Sequence, residues 1–309
     1  MNKSEKKING GNKRGTRKLK KMNCHPLVNG KTITPTSCLT RQILKDLRIS
    51  YNKHHPGEHI TQTDPKRIWN ELKKRMRHCS KEDCWLDTVK DLDVKNNLYN
   101  SSFAPKHPED WISEPSTWLS NLDILDVLSQ YEEAYSQFRF IGPTPIDFDS
   151  KPYVFSEKCV WKELCNFNLK EYVDNQITKI GIIYNLDKHD ESGSHWTSMF
   201  VDLEEEIIFY FDSNGSIIPN EINKLVTRIT EQGKQLYKPI LFDYHDNNLE
   251  HQKGNNECGM YSLYFIITML TNKSGRRSFK TMKKKLDYFT KERIPDRHVF
   301  KHRKKYFNS

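Results

Sequence analysis

The sequence predicts an α+β protein, with a small helical N-terminal domain followed by a mixed sheet and a buried helix. Three observations predict it. Apolar residues recur at helical spacing across residues 39–76 and again across 111–128. From Ile177 the period changes, and residues 180–186, 196–201 and 207–211 read as strands. The run 260–270 is apolar nearly all round, as a helix enclosed in a core must be.

The 309 residues carry 50 Lys and Arg against 40 Asp and Glu, a net charge of +10. That charge is segregated. Residues 1–21 hold a local +8 and residues 273–309 a local +11, which leaves residues 22–272 at −9. Basic ends usually meet polyanions, so non-specific DNA or RNA contact through the termini is expected, with a solubilising tail as the competing reading. The first 21 residues are charged rather than apolar, unlike a secretory leader. The longest apolar run, 258–270, is too short to span a bilayer, so no membrane association is expected. The seven cysteines are an odd number, and free thiols in a reducing compartment are the expectation.

In chain order, residues 1–30 read as a disordered basic tail, because residues up to Lys21 hold almost no large apolar side chains. Residues 31–100 read as the helical N-terminal domain. Leu39, Ile43, Leu44 and Leu47 mark one helix; Ile68, Leu72 and Met76 mark another, started by Asp64 as cap and Pro65 at the first helical position. Cys79 and Cys84 beside His78, with Cys24 or Cys38 as further ligands, raise a zinc site, but the loose C-x4-C spacing favours buried small cysteines, and no metal is expected. Residues 101–309 read as the second domain. A helix through Leu122, Ile124, Leu125 and Leu128 follows a Ser116 or Ser120 cap, and Gly142-Pro143-Thr144-Pro145 is expected to interrupt regular structure. A hairpin around residues 202–205, a helix over 219–233, a strand over 239–244 and a basic helical end over 275–309 complete the reading.

Chemistry concentrates in two stretches. A hairpin turn centred between Leu203 and Glu204 puts His195 directly opposite Asp212, where a carboxylate can hold one imidazole nitrogen; an ordinary cross-strand polar pair is the bland alternative. Cys258, followed by Gly259, opens the apolar helix. A thiolate there meets unpaired backbone N–H groups and the positive end of the helix dipole, which suits a nucleophile better than a structural cysteine. Gln252 reaches the same place if Gly254-Asn255-Asn256 turns tightly, and with the Cys258 N–H it would form an oxyanion hole.

His-Trp, an Asp seventeen residues on, then Gln-x5-Cys-Gly resembles the cysteine protease superfamily of SUMO-deconjugating enzymes and adenovirus maturation protease. Trp118-Leu119-Ser120-Asn121 resembles that superfamily's Trp-Leu-Asn-Asp stretch, with Asn121 where the family has Asp. The resemblance covers about residues 110–272 and implies a papain-like core. It implies Cys258 as nucleophile, His195 as general base and acid, Asp212 as orienter and Gln252 as oxyanion donor. It implies that Trp118 and Trp196 sandwich a Gly-Gly in a narrow tunnel, with Asn121 and Gly259 also in the substrate path. The helical extension and basic tails look more like the maturation proteases of large DNA viruses, which implies cleavage of viral precursors after Gly-Gly or Ala-Gly in virions and host-cell cytoplasm. A nuclear SUMO-type or ubiquitin-like deconjugase and an inactive, nucleic-acid-binding virion protein are the alternatives. No cofactor is implied except nucleic acid as an activator. Slow self-trimming after Gly10-Gly11 is a further expectation.

Overall fold

A computed structural model describes residues 18–152 and 158–309. The described residues fall into two compact units, one made of residues 18–22 with 32–99 and the other of described residues within 23–31 and 100–309.

The first unit contains α1 (Arg41–His54) and α2 (Pro65–Arg75), and the division falls within α3 (Leu92–Ser102). Both starts follow from local chemistry. The Thr40 hydroxyl accepts from Ile43 N, and Asp64 Oδ1 accepts from Arg67 N with Pro65 in the first turn. Leu44, Leu47, Ile68, Leu72 and Trp85 are fully buried. A buried Glu82 carboxylate accepts from Cys38 N at 2.9 Å and Trp69 Nε1 at 2.5 Å. The helix α3 occupies a polar stretch in which sequence periodicity marks no helix.

The tail expected over residues 1–30 is corrected from residue 18 onward. Lys20 N donates to Ser80 O, and Met22, His25 and Val28 are buried. In the second unit, Asn23 and Asn308 exchange hydrogen bonds of 2.8 and 2.9 Å between backbone and side chain. Few but well-placed apolar side chains and a reciprocal amide pair order a segment whose composition looked too polar. Gly10-Gly11 lies outside the described residues.

The cysteines are also corrected. Cys79 pairs with Cys84 and Cys159 with Cys165, at Cα separations of 5.5 and 6.2 Å that a disulfide spans. Cys24 and Cys38 are disulfide-bonded too, leaving Cys258 as the free thiol. His78, Cys79 and Cys84 place ligand atoms within 4.8 Å of one another, but their bridge removes both thiolates from that set.

The second unit is a five-stranded mixed sheet between two helical layers. Its elements are α4 (Asn121–Ala134), β1 (Phe138–Pro145), α5 (Lys162–Cys165), α6 (Leu169–Asp174), β2 (Lys179–Asn185), β3 (Trp196–Asp202) and β4 (Ile207–Phe211). They continue with α7 (Asn220–Gln235), β5 (Asp243–Asp246), α8 (Cys258–Thr271), the short pair β6 (Lys273–Ser274) and β7 (Arg277–Ser278), α9 (Met282–Lys291) and α10 (Asp296–Tyr306). The strand order is β1-β2-β3-β4-β5, with β2-β3-β4 antiparallel and both outer pairs parallel.

Every residue of β3 and β4 is buried. Phe200, Phe209 and Phe211 face one core with α4, α8, α9 and α10; Met199, Val201, Ile208 and Tyr210 face another with α5, α6 and α7. Two covered faces explain why the strands lack polar alternation. Gly181 on β2 permits a close approach of α8, since a Cβ there would stand 3.0 Å from Ile266. The Gly142-Pro143 stretch is not an interruption: β1 runs through it with a register shift between Ile141 and Thr144 and a cis Gly142–Pro143 bond. The missing proline N–H is tolerated because β1 is an edge strand. No helix among the described residues is long and apolar enough to cross a membrane.

Candidate active site

The site lies where β3 begins, β4 ends and α8 starts. The hairpin register differs from expectation. Asp202 pairs with Ile207 and Ser198 with Phe211, so the turn is centred between Glu204 and Glu205. Continuing that register puts Thr197, not His195, opposite Asp212. His195 is therefore a diagonal neighbour, displaced by two residues. A two-residue displacement keeps both side chains on one face, and a diagonal pair of about 7–8 Å remains within reach of an imidazole. His195 Nε2 lies 2.6 Å from Asp212 Oδ1.

Asp212 is fixed from behind. Its backbone N donates to Asn247 Oδ1 at 2.9 Å, Asn247 Nδ2 returns a bond to Asp212 O at 2.7 Å, and Asn214 N donates to Asp212 Oδ1 at 2.8 Å. Burial pushes the Asp212 carboxyl up, but His195 and the backbone N–H of Asn214 outweigh it and hold the group below its ordinary value. For His195, burial opposes the charged ring, while the Asp212 hydrogen bond and the neighbouring Cys258 thiol favour it; the balance raises its pKa to about 9. With Nε2 taken by Asp212, Nδ1 is the nitrogen left for the Cys258 sulfur.

Cys258 is the first residue of α8 and is buried. No side chain caps that helix start, so N–H groups of its first turn remain available to an anion. Gln252 is buried six residues upstream. The Ser213 hydroxyl donates to Gln252 Oε1 at 2.9 Å, and Gln252 Nε2 donates to Gly254 O at 2.7 Å, which leaves one amide hydrogen uncommitted. Sequence reasoning missed Ser213 and Asn247. Each is one polar residue in a loop, and only the fold brings it to its partner.

The expected substrate residues separate into two groups. Trp118, Asn121 and Trp196 line one groove of about 570 Å³, together with Pro143 and Trp161. Trp118 is 41% exposed and Trp196 only 8%. Trp196 Nε1 donates to Leu119 O, and Trp118 Nε1 donates to Asn256 Oδ1. Asn121 sits on the first turn of α4, whose capping box is formed by Ser120 and Asp123. Gly259 is instead buried, and a Cβ there would meet Leu119 and Trp196 at 3.2 Å. The missing side chain lets α8 sit against the groove wall. A larger cavity of about 920 Å³ lies elsewhere; Arg139 on its wall is already paired with Glu132 and Glu163, and none of the catalytic set lines it.

A match to the Ulp1 protease family, C-terminal catalytic domain, spans residues 168–306, which hold His195, Asp212, Gln252 and Cys258. Over residues 168–306 the chain is similar to the cysteine-protease domain of this family. Among viral relatives, a protein of Acanthamoeba polyphaga mimivirus assigned as a thiol protease is 34% identical over 184 residues, or 58% of this chain. The chain spans 55% of that relative's length. A cysteine protease of African swine fever virus is 26% identical over 279 residues, covering 83% of this chain and 96% of the relative. The crystal structure of an African swine fever virus protease superposes with a TM-score of 0.64 at 20% identity, across 94% of this chain and 97% of that one. The shared fold thus extends well beyond the 139 residues of the family match.

Proposed function

We propose that this chain is a cysteine endopeptidase that cuts viral core or structural precursors after small residues, of Gly-Gly-X or Ala-Gly-X type, during virion maturation. The observation that carries the chemistry is a partly buried His195 held by Asp212 at 2.6 Å beside the free thiol of Cys258. Near neutral pH the His195 ring keeps its proton beside the Cys258 sulfur, the proposed nucleophile. Cys258 Sγ attacks the peptide carbonyl, the carbonyl oxygen is received by the Cys258 N–H and Gln252 Nε2, and His195 hands its proton to the leaving amine. Water then attacks the acyl-enzyme while His195 accepts a proton, which returns Cys258.

Two tryptophans that line the groove, Trp118 and Trp196, support small-residue selectivity, since bulky side chains would meet the indoles. Relatives in two large DNA viruses support the maturation role, with virion and host-cell cytoplasm as the place of action. The family match favours a second reading, release of a SUMO or ubiquitin-like protein at its Gly-Gly end. A panel of SUMO precursors and conjugates against Gly-Gly-X peptides decides: faster turnover of folded SUMO substrates would replace the maturation reading. Nucleic acid as an activator is proposed for the basic N-terminal segment, most of which lies outside the described residues. The basic C-terminal end contributes less, because Phe289, Tyr306 and Phe307 are buried and do not present rings to bases. Removal of residues 1–21 is expected to weaken salt-sensitive DNA binding.

A further inference from the structure

We infer that Arg303, on the last helix of the chain, is a positioning residue that holds the nucleophile loop and the tryptophan wall of the groove in one fixed relation. The inference rests on the cysteine-protease reading and adds to it a residue far from Cys258 in sequence.

Arg303 is 3% exposed, unlike most of the basic residues around it. All five of its N–H donors have partners. Nε donates to Glu257 Oε2 at 3.1 Å, Nη2 lies 3.0 Å from Glu257 Oε1 as an ion pair, and Glu257 immediately precedes Cys258. Nη2 donates to Asn256 O at 3.1 Å and to Ser116 O at 3.5 Å. Nη1 donates to Thr117 O at 2.8 Å and Pro115 O at 3.3 Å, in the segment that delivers Trp118. The guanidinium also lies 4.3 Å from the Trp111 ring centre, and Trp111 Nε1 donates to Thr117 O as well. Asn256 closes the circuit, because its side chain receives Trp118 Nε1. One planar cation thus ties the two residues before Cys258 to the three before Trp118. A guanidinium suits this better than an ammonium, which has three donors and no fixed plane.

The same helix supplies a second tie. Asp296 accepts from Gly254 N at 2.9 Å, from Lys253 N at 3.1 Å and from the Tyr261 hydroxyl at 2.8 Å. Gly254 O in turn receives Gln252 Nε2. From one end to the other, α10 therefore braces the loop that carries the oxyanion donor and the nucleophile.

The test uses the full chain and two variants, Arg303→Lys and the double substitution Arg303→Met with Glu257→Met. The double variant strands neither charge in the core. Turnover is measured on fluorogenic peptides ending in Gly-Gly and in Leu-Gly, and Cys258 alkylation by iodoacetamide is followed alongside. The folded variants are expected to lose ~10²-fold in kcat on Gly-Gly, the scale of a 1 Å misplacement, with KM nearly kept and Gly-Gly preference over Leu-Gly reduced. Native kcat and native selectivity in either folded variant would overturn the inference. Failure of both to fold would assign Arg303 to the core alone and overturn it too. Absence of any cleavage by the native chain would defeat the protease reading instead; slower alkylation of Cys258 in the folded variants would still support the brace, and unchanged alkylation would overturn it.

Discussion

The Ser213 hydroxyl donates to Gln252 Oε1 at 2.9 Å, and together with the Gln252 Nε2 bond to Gly254 O it fixes which way the Gln252 amide is turned. Ser213 follows Asp212 directly, so the hairpin end that holds His195 also orients the proposed oxyanion donor. Gln252→Ala is expected to lower kcat by ~10²–10³-fold with KM nearly kept. Ser213→Ala should give a smaller loss in the same parameter, because the amide can then rotate. A Gln252→Ala enzyme with native kcat would remove Gln252 from the oxyanion hole.

The thiol prediction is sharper for the disulfides. Under non-reducing conditions iodoacetamide should modify Cys258 alone among the seven cysteines. Cys258→Ala should abolish turnover and leave the circular-dichroism spectrum unchanged, since a small residue at a helix start leaves little cavity. Peptide mapping that finds several labelled cysteines would contradict the bridges.

Rate against pH reports His195. With burial lowering its pKa and the Asp212 and Cys258 interactions more than restoring it to about 9, kcat/KM should fall on an alkaline limb near that value as the imidazolium is lost. Asp212→Asn should move the limb downward and reduce kcat, because the carboxylate that favours the charged ring is gone. The linkage to stability has a definite sign. The raised His195 contributes fully below its ordinary 6.5 and loses its contribution as pH rises through about 9. The depressed Asp212 contributes fully above its ordinary 3.8 and loses it as pH falls further. The melting-temperature gap between native and Asp212→Asn protein should therefore be widest between those ordinary values and close toward pH 9. A gap that grows with alkalinity would refute the pair.

Gly259→Ala separates packing from substrate contact. The new methyl stands 3.2 Å from Leu119 Cβ and Trp196 Cδ1, so the groove wall must move by tenths of an ångström. Overpacking of this kind costs about 1–3 kcal/mol. The variant is expected to melt earlier and to lose selectivity for Gly-Gly peptides. Unchanged stability with raised KM would return Gly259 to the substrate path.

Much of this protein is legible in its sequence because the signals are local. The cap at Asp64 with Pro65, the Ser120 start of α4, the apolar β3 and β4, and the all-round apolar α8 beginning at Cys258 each follow from residues a few positions apart. Three of the candidate catalytic residues were legible for a related reason: His195, Asp212 and Cys258 sit at or beside element ends, where chain geometry limits where a side chain can go, and Gln252 was placed only by its spacing to Cys258. Only the tertiary structure decided the rest. The true hairpin register depends on a turn one position from where the sequence centred it, and β1 crosses two prolines because an edge strand can spare their N–H groups. The segment from residue 23 is ordered by Asn308, at the other end of the chain. Arg303 looked like one charge in a basic tail. Its role is set by Glu257, Asn256 and the carbonyls of residues 115–117, and those partners lie 46 to 188 positions away, beyond what any sequence pattern spans.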